Sequence, residues 1–102
     1  MSEKIYTIDE IKKILKQVLK NQPVYKVILF GSYAKNEANN KSDIDLLIDT
    51  RETLKGFNLI RLICQIQEAF DKPIDGFEKY EIISDSKIDR EIKKTGVVVY
   101  EE

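Results

Sequence analysis

Apolar residues recur along this chain with two different periods. Over residues 7–20, Ile8, Ile11, Ile14, Leu15, Val18 and Leu19 repeat at helical spacing, and Thr7-Ile8-Asp9-Glu10 has the form of a capping box, so the pattern predicts a helix there. Lys12, Lys13, Lys16 and Lys20 fill the other side of it, as on a solvated face. A second stripe, Leu59, Leu62, Ile63, Ile66 and Phe70, predicts a helix over 54–70, with Gly56 moving its start towards Phe57. A shorter helix is expected over 87–94, capped from Ser84-Asp85-Ser86, with Ile88 and Ile92 inward and Gly96 just past its end.

Between these stripes lie short runs of β-branched and aromatic residues, which predict strands over 25–30, 43–49, 74–77 and 97–100. A one-turn helix over 33–37 completes an α-β-α-β-α-β-α-β order, while 78–84, with Tyr80, Ile82 and Ile83, fits a strand or a packing loop equally well. That order implies an α/β (α+β) chain, one domain over 1–102, with a small mixed sheet and helices packed on it.

Composition narrows the function. With 17 basic against 18 acidic side chains the net charge is −1, so no bulk electrostatic footprint for nucleic acid or membrane exists, and direct nucleic-acid binding is not expected. One cysteine excludes an internal disulfide framework, and the absence of histidine removes the usual zinc sites. Cys64, flanked by Ile63 and Ile66, is expected to be a buried, inert thiol on its helix. No apolar run reaches the length of a leader or a membrane span, which points to the cytoplasm.

The stretch that carries chemistry runs from Val27 to Asp49. Its first strand breaks at Gly31-Ser32, where a residue without a Cβ lets a ligand approach the backbone, and the Ser32 hydroxyl can cap a helix or meet a phosphate. In the second strand Asp43 and Asp45 alternate with Ile44, Leu46 and Ile48, so both carboxylates share one face while the apolar side chains fill the other. Side-by-side anions raise each other's pKa unless a cation lies between them, and Mg²⁺ takes such oxygens. Solvated turn residues at a strand start, with Ser42-Asp43 as turn chemistry, are the alternative. A calcium loop of the EF-hand kind fails, because its glycine is missing and Leu46-Leu47-Ile48 stands at ligand positions. Asp49 keeps strand parity but lies roughly 20 Å along the strand from Asp43, beyond one metal site.

Gly31-Ser32, ten residues, then Asp43-Ile44-Asp45 resembles the G-S-x10-D-x-D signature of the polymerase-β-like nucleotidyltransferases, and specifically their minimal nucleotidyltransferase proteins. The A-R-G common after the Gly-Ser in that family stands here as Ala34-Lys35-Asn36, with the cation kept and the glycine lost. The resemblance implies a polymerase-β-like fold in which Gly31 and Ser32 hold the phosphates of a nucleoside triphosphate and Asp43 and Asp45 ligate Mg²⁺. It also implies a third carboxylate on the strand after the long helix, where Asp75 stands. Three carboxylates can hold two Mg²⁺ ions and take a proton from the attacking hydroxyl. Glu78 and Glu81 are the fallback third carboxylates, and Lys35 is a candidate for neutralising phosphate charge.

Larger relatives carry a domain for the acceptor, and 102 residues leave no room for one, so the acceptor is expected to arrive with a partner. The resemblance implies ATP as nucleotide and a HEPN-domain toxin as partner, with AMP transferred to one of the toxin's hydroxyls. The alternative is a non-catalytic subunit of the same fold that neutralises the toxin by covering it.

Overall fold

The computed structural model describes residues 4–102. The expectation that no leader opens the chain rests partly on residues 1–3, which lie outside the described residues, as does any packing of the Tyr80 side chain. The chain folds as α1 (Ile8–Val18), β1 (Lys26–Phe30), β2 (Ile44–Asp49), α2 (Phe57–Phe70), β3 (Ile74–Glu78), a 3-10 turn at Lys79–Glu81, α3 (Lys87–Thr95) and β4 (Val97–Glu101). The one-turn helix expected over 33–37 does not form. Lys35 N donates to Gly31 O (3.2 Å), Asn36 N to Tyr33 O (3.3 Å) and Glu37 N to Ser32 O (2.9 Å), mixed spans that make a tight turn rather than a helix.

The sheet has the order β3-β2-β1-β4, antiparallel except for the parallel pair β2 and β3. The α2 crossover brings β3 back alongside β2, so Asp45 lies opposite Asp75 in the register. On the β1 side, Phe30 lies opposite Asp45. Ile44 N also donates to Pro73 O (3.1 Å), which fixes the two strand starts side by side.

Alternation sorts the two faces. Val27 and Leu29 of β1, and Ile44, Leu46 and Ile48 of β2, are fully buried together with Ile11 and Leu15 of α1, Leu19 at its end, and Ile66 and Phe70 of α2. Tyr6 locks this layer, with its ring edge-on to Phe70 at 5.1 Å between centroids and its hydroxyl donating to Phe70 O at 2.6 Å. The opposite face carries Phe30, Asp45, Leu47, Asp75 and Phe77, with the Phe30 and Phe77 rings 5.9 Å apart. α3 leans on this second face, where Gly96 lets the backbone come up against Ile28. Gly96 is extended (φ −62°), so it serves close approach there and not the left-handed turn its position after a helix suggests.

The thiol of Cys64 is exposed, contrary to the expectation of a buried one. Leu59, Leu62, Ile66 and Phe70 make the buried seam of α2, and Cys64, two residues from both Leu62 and Ile66, falls about 200° around the helix from each. Among the described residues no helix is long and apolar enough to cross a membrane.

Candidate active site

The candidate site forms where β1 ends and β2 and β3 begin. Gly31 turns the chain out of β1 with φ +76°, and a Cβ there would collide with Oδ2 of Asp45. Glycine is therefore required twice over, for the left-handed backbone and because the carboxylate lies directly against its Cα. Tyr33, 4% exposed, anchors the turn that follows, and the turn closes at Asn36 with φ +59°. Asparagine tolerates the left-handed region better than most residues with a Cβ, so the loop keeps a glycine-like bend after losing the glycine. Ser32 follows Gly31 in this loop and is partly buried.

Asp43 precedes β2 rather than opening it, and it is exposed. The connector that delivers it is held by side chains: Asn39 N donates to Ser42 Oγ (2.9 Å) and Lys41 N to Asn39 Oδ1 (2.8 Å). The nearly buried Lys72 donates from Nζ to Asn40 O (3.1 Å), tying the connector to the end of α2. Ser42 thus does perform the turn chemistry that its sequence suggested, while its neighbour Asp43 stays free to face the site.

Asp45 is the electrostatic centre. Burial pushes its carboxyl up to about 6, helped by the charge of Asp75 and a hydrogen bond with it, then by the charges of Asp43 and Glu91. The Asp45 carboxyl therefore holds its proton into mildly acidic pH. A pair of carboxylates that repel across a strand register, beside a backbone cradle, is a donor set suited to a hard divalent cation. Among the described residues no three His, Cys, Asp or Glu side chains stand close enough to form a finished metal cluster. Asp45 and Asp75 are gathered, and Asp43 stands as neighbouring charge.

The fallback carboxylates fall elsewhere. Glu78 is three residues beyond Asp75, so strand alternation turns it to the opposite, buried face. Glu81 lies in the 3-10 turn and, with Glu78, lines a cavity against Leu54 and Leu59 past the far end of β2. Asp49 accepts from Arg51 N (3.0 Å) and pairs with Lys79 (3.5 Å), apart from the site. Glu91 of α3 is the residue that sequence reasoning missed. It pairs with Lys35 at 3.4 Å, and its charge reaches Asp45. Its signal in the sequence is its place on the predicted third helix, one residue before the half-buried Ile92.

The polymerase beta nucleotidyltransferase family model matches residues 10–102. A protein of Methanocaldococcus jannaschii named "Putative protein adenylyltransferase" is 37% identical over 68 residues, 67% of this chain and 73% of that protein. A chain in a crystal structure of a toxin–antitoxin with AMP-PNP superposes with a TM-score of 0.71 at 20% identity, over 89% of this chain and 73% of that one. A second neighbour comes from a tri-AMPylated Shewanella oneidensis HEPN toxin in complex with MNT antitoxin. It gives a TM-score of 0.66 at 18% identity over 94% of this chain and 74% of that one. The chain belongs to the polymerase-β nucleotidyltransferase family.

Proposed function

We propose that the chain is a single-domain cytoplasmic nucleotidyltransferase that moves AMP from ATP to a hydroxyl of a HEPN-domain toxin and thereby acts as its antitoxin. The observation that carries this reading is the Asp45–Asp75 pair, two carboxyls facing each other across a parallel strand register, with Asp45 against the Gly31 backbone. The adenylyltransferase named in the archaeal relative and the AMPylated toxin named in the structural neighbour support the same choice of nucleotide and partner.

The residues divide the work as follows. Backbone N–H groups at Gly31 and the Ser32 hydroxyl donate to phosphate oxygens. Asp43, Asp45 and Asp75 would hold Mg²⁺, which when bound supplies positive charge that offsets phosphate repulsion and the charge of departing pyrophosphate. Asp75, exposed at the edge strand, accepts the proton of the acceptor hydroxyl as that oxygen attacks the α-phosphorus. Phe30, Leu47 and Phe77 give this side of the sheet an apolar floor.

The second reading is a binding subunit that covers the toxin without chemistry. The Asp43→Asn, Asp45→Asn double variant separates the two, since both substitutions keep side-chain size and remove charge. Loss of toxin neutralisation in cells with the complex still isolated intact is the enzyme's result. Full neutralisation by the double variant is the result of the binding subunit.

A further inference from the structure

The surroundings of Asp45 are unbalanced in charge. Asp43, Asp75 and Glu91 all add negative potential at that carboxyl, and none of the causes acting on it is a cation. A nucleoside triphosphate is itself strongly anionic, so its approach to this site from solution is opposed unless the chain supplies positive charge. Lys35 is the lysine that the Gly31 loop contributes, four residues after the glycine, and its ammonium is engaged 3.4 Å from Oε1 of Glu91. The pair joins the loop leaving β1 to the helix α3. Glu91 stands in the middle of α3, where Thr95 Oγ1 donates to its carbonyl (2.9 Å) and the half-buried Ile92 follows it.

Both side chains of the pair are about one third exposed, 38% for Lys35 and 31% for Glu91. Ion pairs this accessible are held weakly, and a polyphosphate with several charges outcompetes one carboxylate for an ammonium. The four-carbon stem of lysine allows the exchange without moving the loop, whose backbone is closed by its own hydrogen bonds.

We propose that Glu91 is a positioning residue that parks the Lys35 ammonium against α3 until the phosphates of a nucleotide draw it away, so that Lys35 serves triphosphate binding and Glu91 sets its threshold. This rests on reading the site as a nucleotide site. The parked state has two consequences. It lowers the net repulsion that α3 presents to an incoming nucleotide, and it makes tight nucleotide binding depend on breaking the pair.

Titration calorimetry of the full chain with ATP and Mg²⁺ tests this, using wild type, Glu91→Gln, Lys35→Met, the double variant and Lys35→Arg. Lys35→Met is expected to weaken ATP binding about 5- to 10-fold, as loss of one charge-assisted contact does. Lys35→Arg is expected to retain binding. Glu91→Gln is expected to tighten binding about 2- to 5-fold by releasing the lysine and removing one negative charge, and to have a clearly smaller effect once Lys35 is Met. Equal tightening by Glu91→Gln in both backgrounds would mean simple repulsion and overturns the proposal. A neutral Glu91→Gln in a chain that binds ATP overturns the positioning role alone. A wild-type chain that binds no ATP overturns the nucleotide reading along with it. Thermal melts of the same variants are expected to superpose, which a merely structural ion pair between loop and helix would not predict.

Discussion

Gly31 shows how one residue can be fixed by geometry from two sides. Its φ of +76° strains any residue with a Cβ, and the Cβ itself would meet the carboxylate of Asp45. Gly31→Ala is expected to cost about 1–3 kcal/mol in urea unfolding and to displace Asp45. A variant as stable as wild type would show that the loop turns some other way. Asp45 itself makes a stability prediction with a definite sign. Its carboxyl is raised from 3.8 to about 6 in the folded chain, so the folded state binds the proton more tightly than the unfolded one. The resulting stabilisation is full below about pH 4 and is lost as pH rises through about 6. In EDTA, Asp45→Asn should therefore gain stability relative to wild type between those limits, by several degrees in melting temperature, while losing transfer activity. A wild-type-to-variant difference that does not change with pH would contradict the assignment. Asn36 belongs to the same scale: the sequence shows a glycine replaced, but only the observed φ of +59° shows that asparagine keeps the bend.

At the scale of elements, periodicity was a sound guide wherever one face of an element is buried. The capping box of α1 forms as its residues require, with Glu10 N donating to Thr7 Oγ1 (3.1 Å) and Thr7 N to Glu10 Oε1 (3.0 Å). The start of α2 at Phe57 follows from the poor helix propensity of Gly56, which sits before it with φ +57°. The failures share a cause. Cys64 was placed by its apolar neighbours in sequence, whereas a helix sorts residues by angle. The turn after Ser32 has helix-forming residues, but a one-turn segment follows the hydrogen bonds its anchors allow. Cys64 gives a direct check: it should react with a thiol reagent in the native chain within about tenfold of its rate in the unfolded chain, since no opening is needed first. Protection by several orders of magnitude would restore the buried thiol.

For the whole molecule, what the sequence could not contain is the neighbourhood across strands. Asp43 and Asp45 are two residues apart and visible as a motif, but Asp75 comes thirty residues after Asp45 and joins it only because α2 returns the chain in parallel. The register places Asp75, and not Glu78, opposite Asp45. Glu91 had no such motif behind it. It reaches the site because α3 crosses the sheet face that α1 and α2 leave open, a fact of packing that no local pattern encodes. The central claim is that this assembled carboxylate site transfers a nucleotide to a partner protein. Its most direct test is intact-mass spectrometry of the chain's co-purified partner after incubation with Mg²⁺ and each nucleoside triphosphate in turn, beside the Asp43→Asn, Asp45→Asn variant. A gain of one or more AMP masses on the partner with ATP, absent in the variant, is the predicted result. A stable complex whose partner gains no mass with any nucleotide would contradict it.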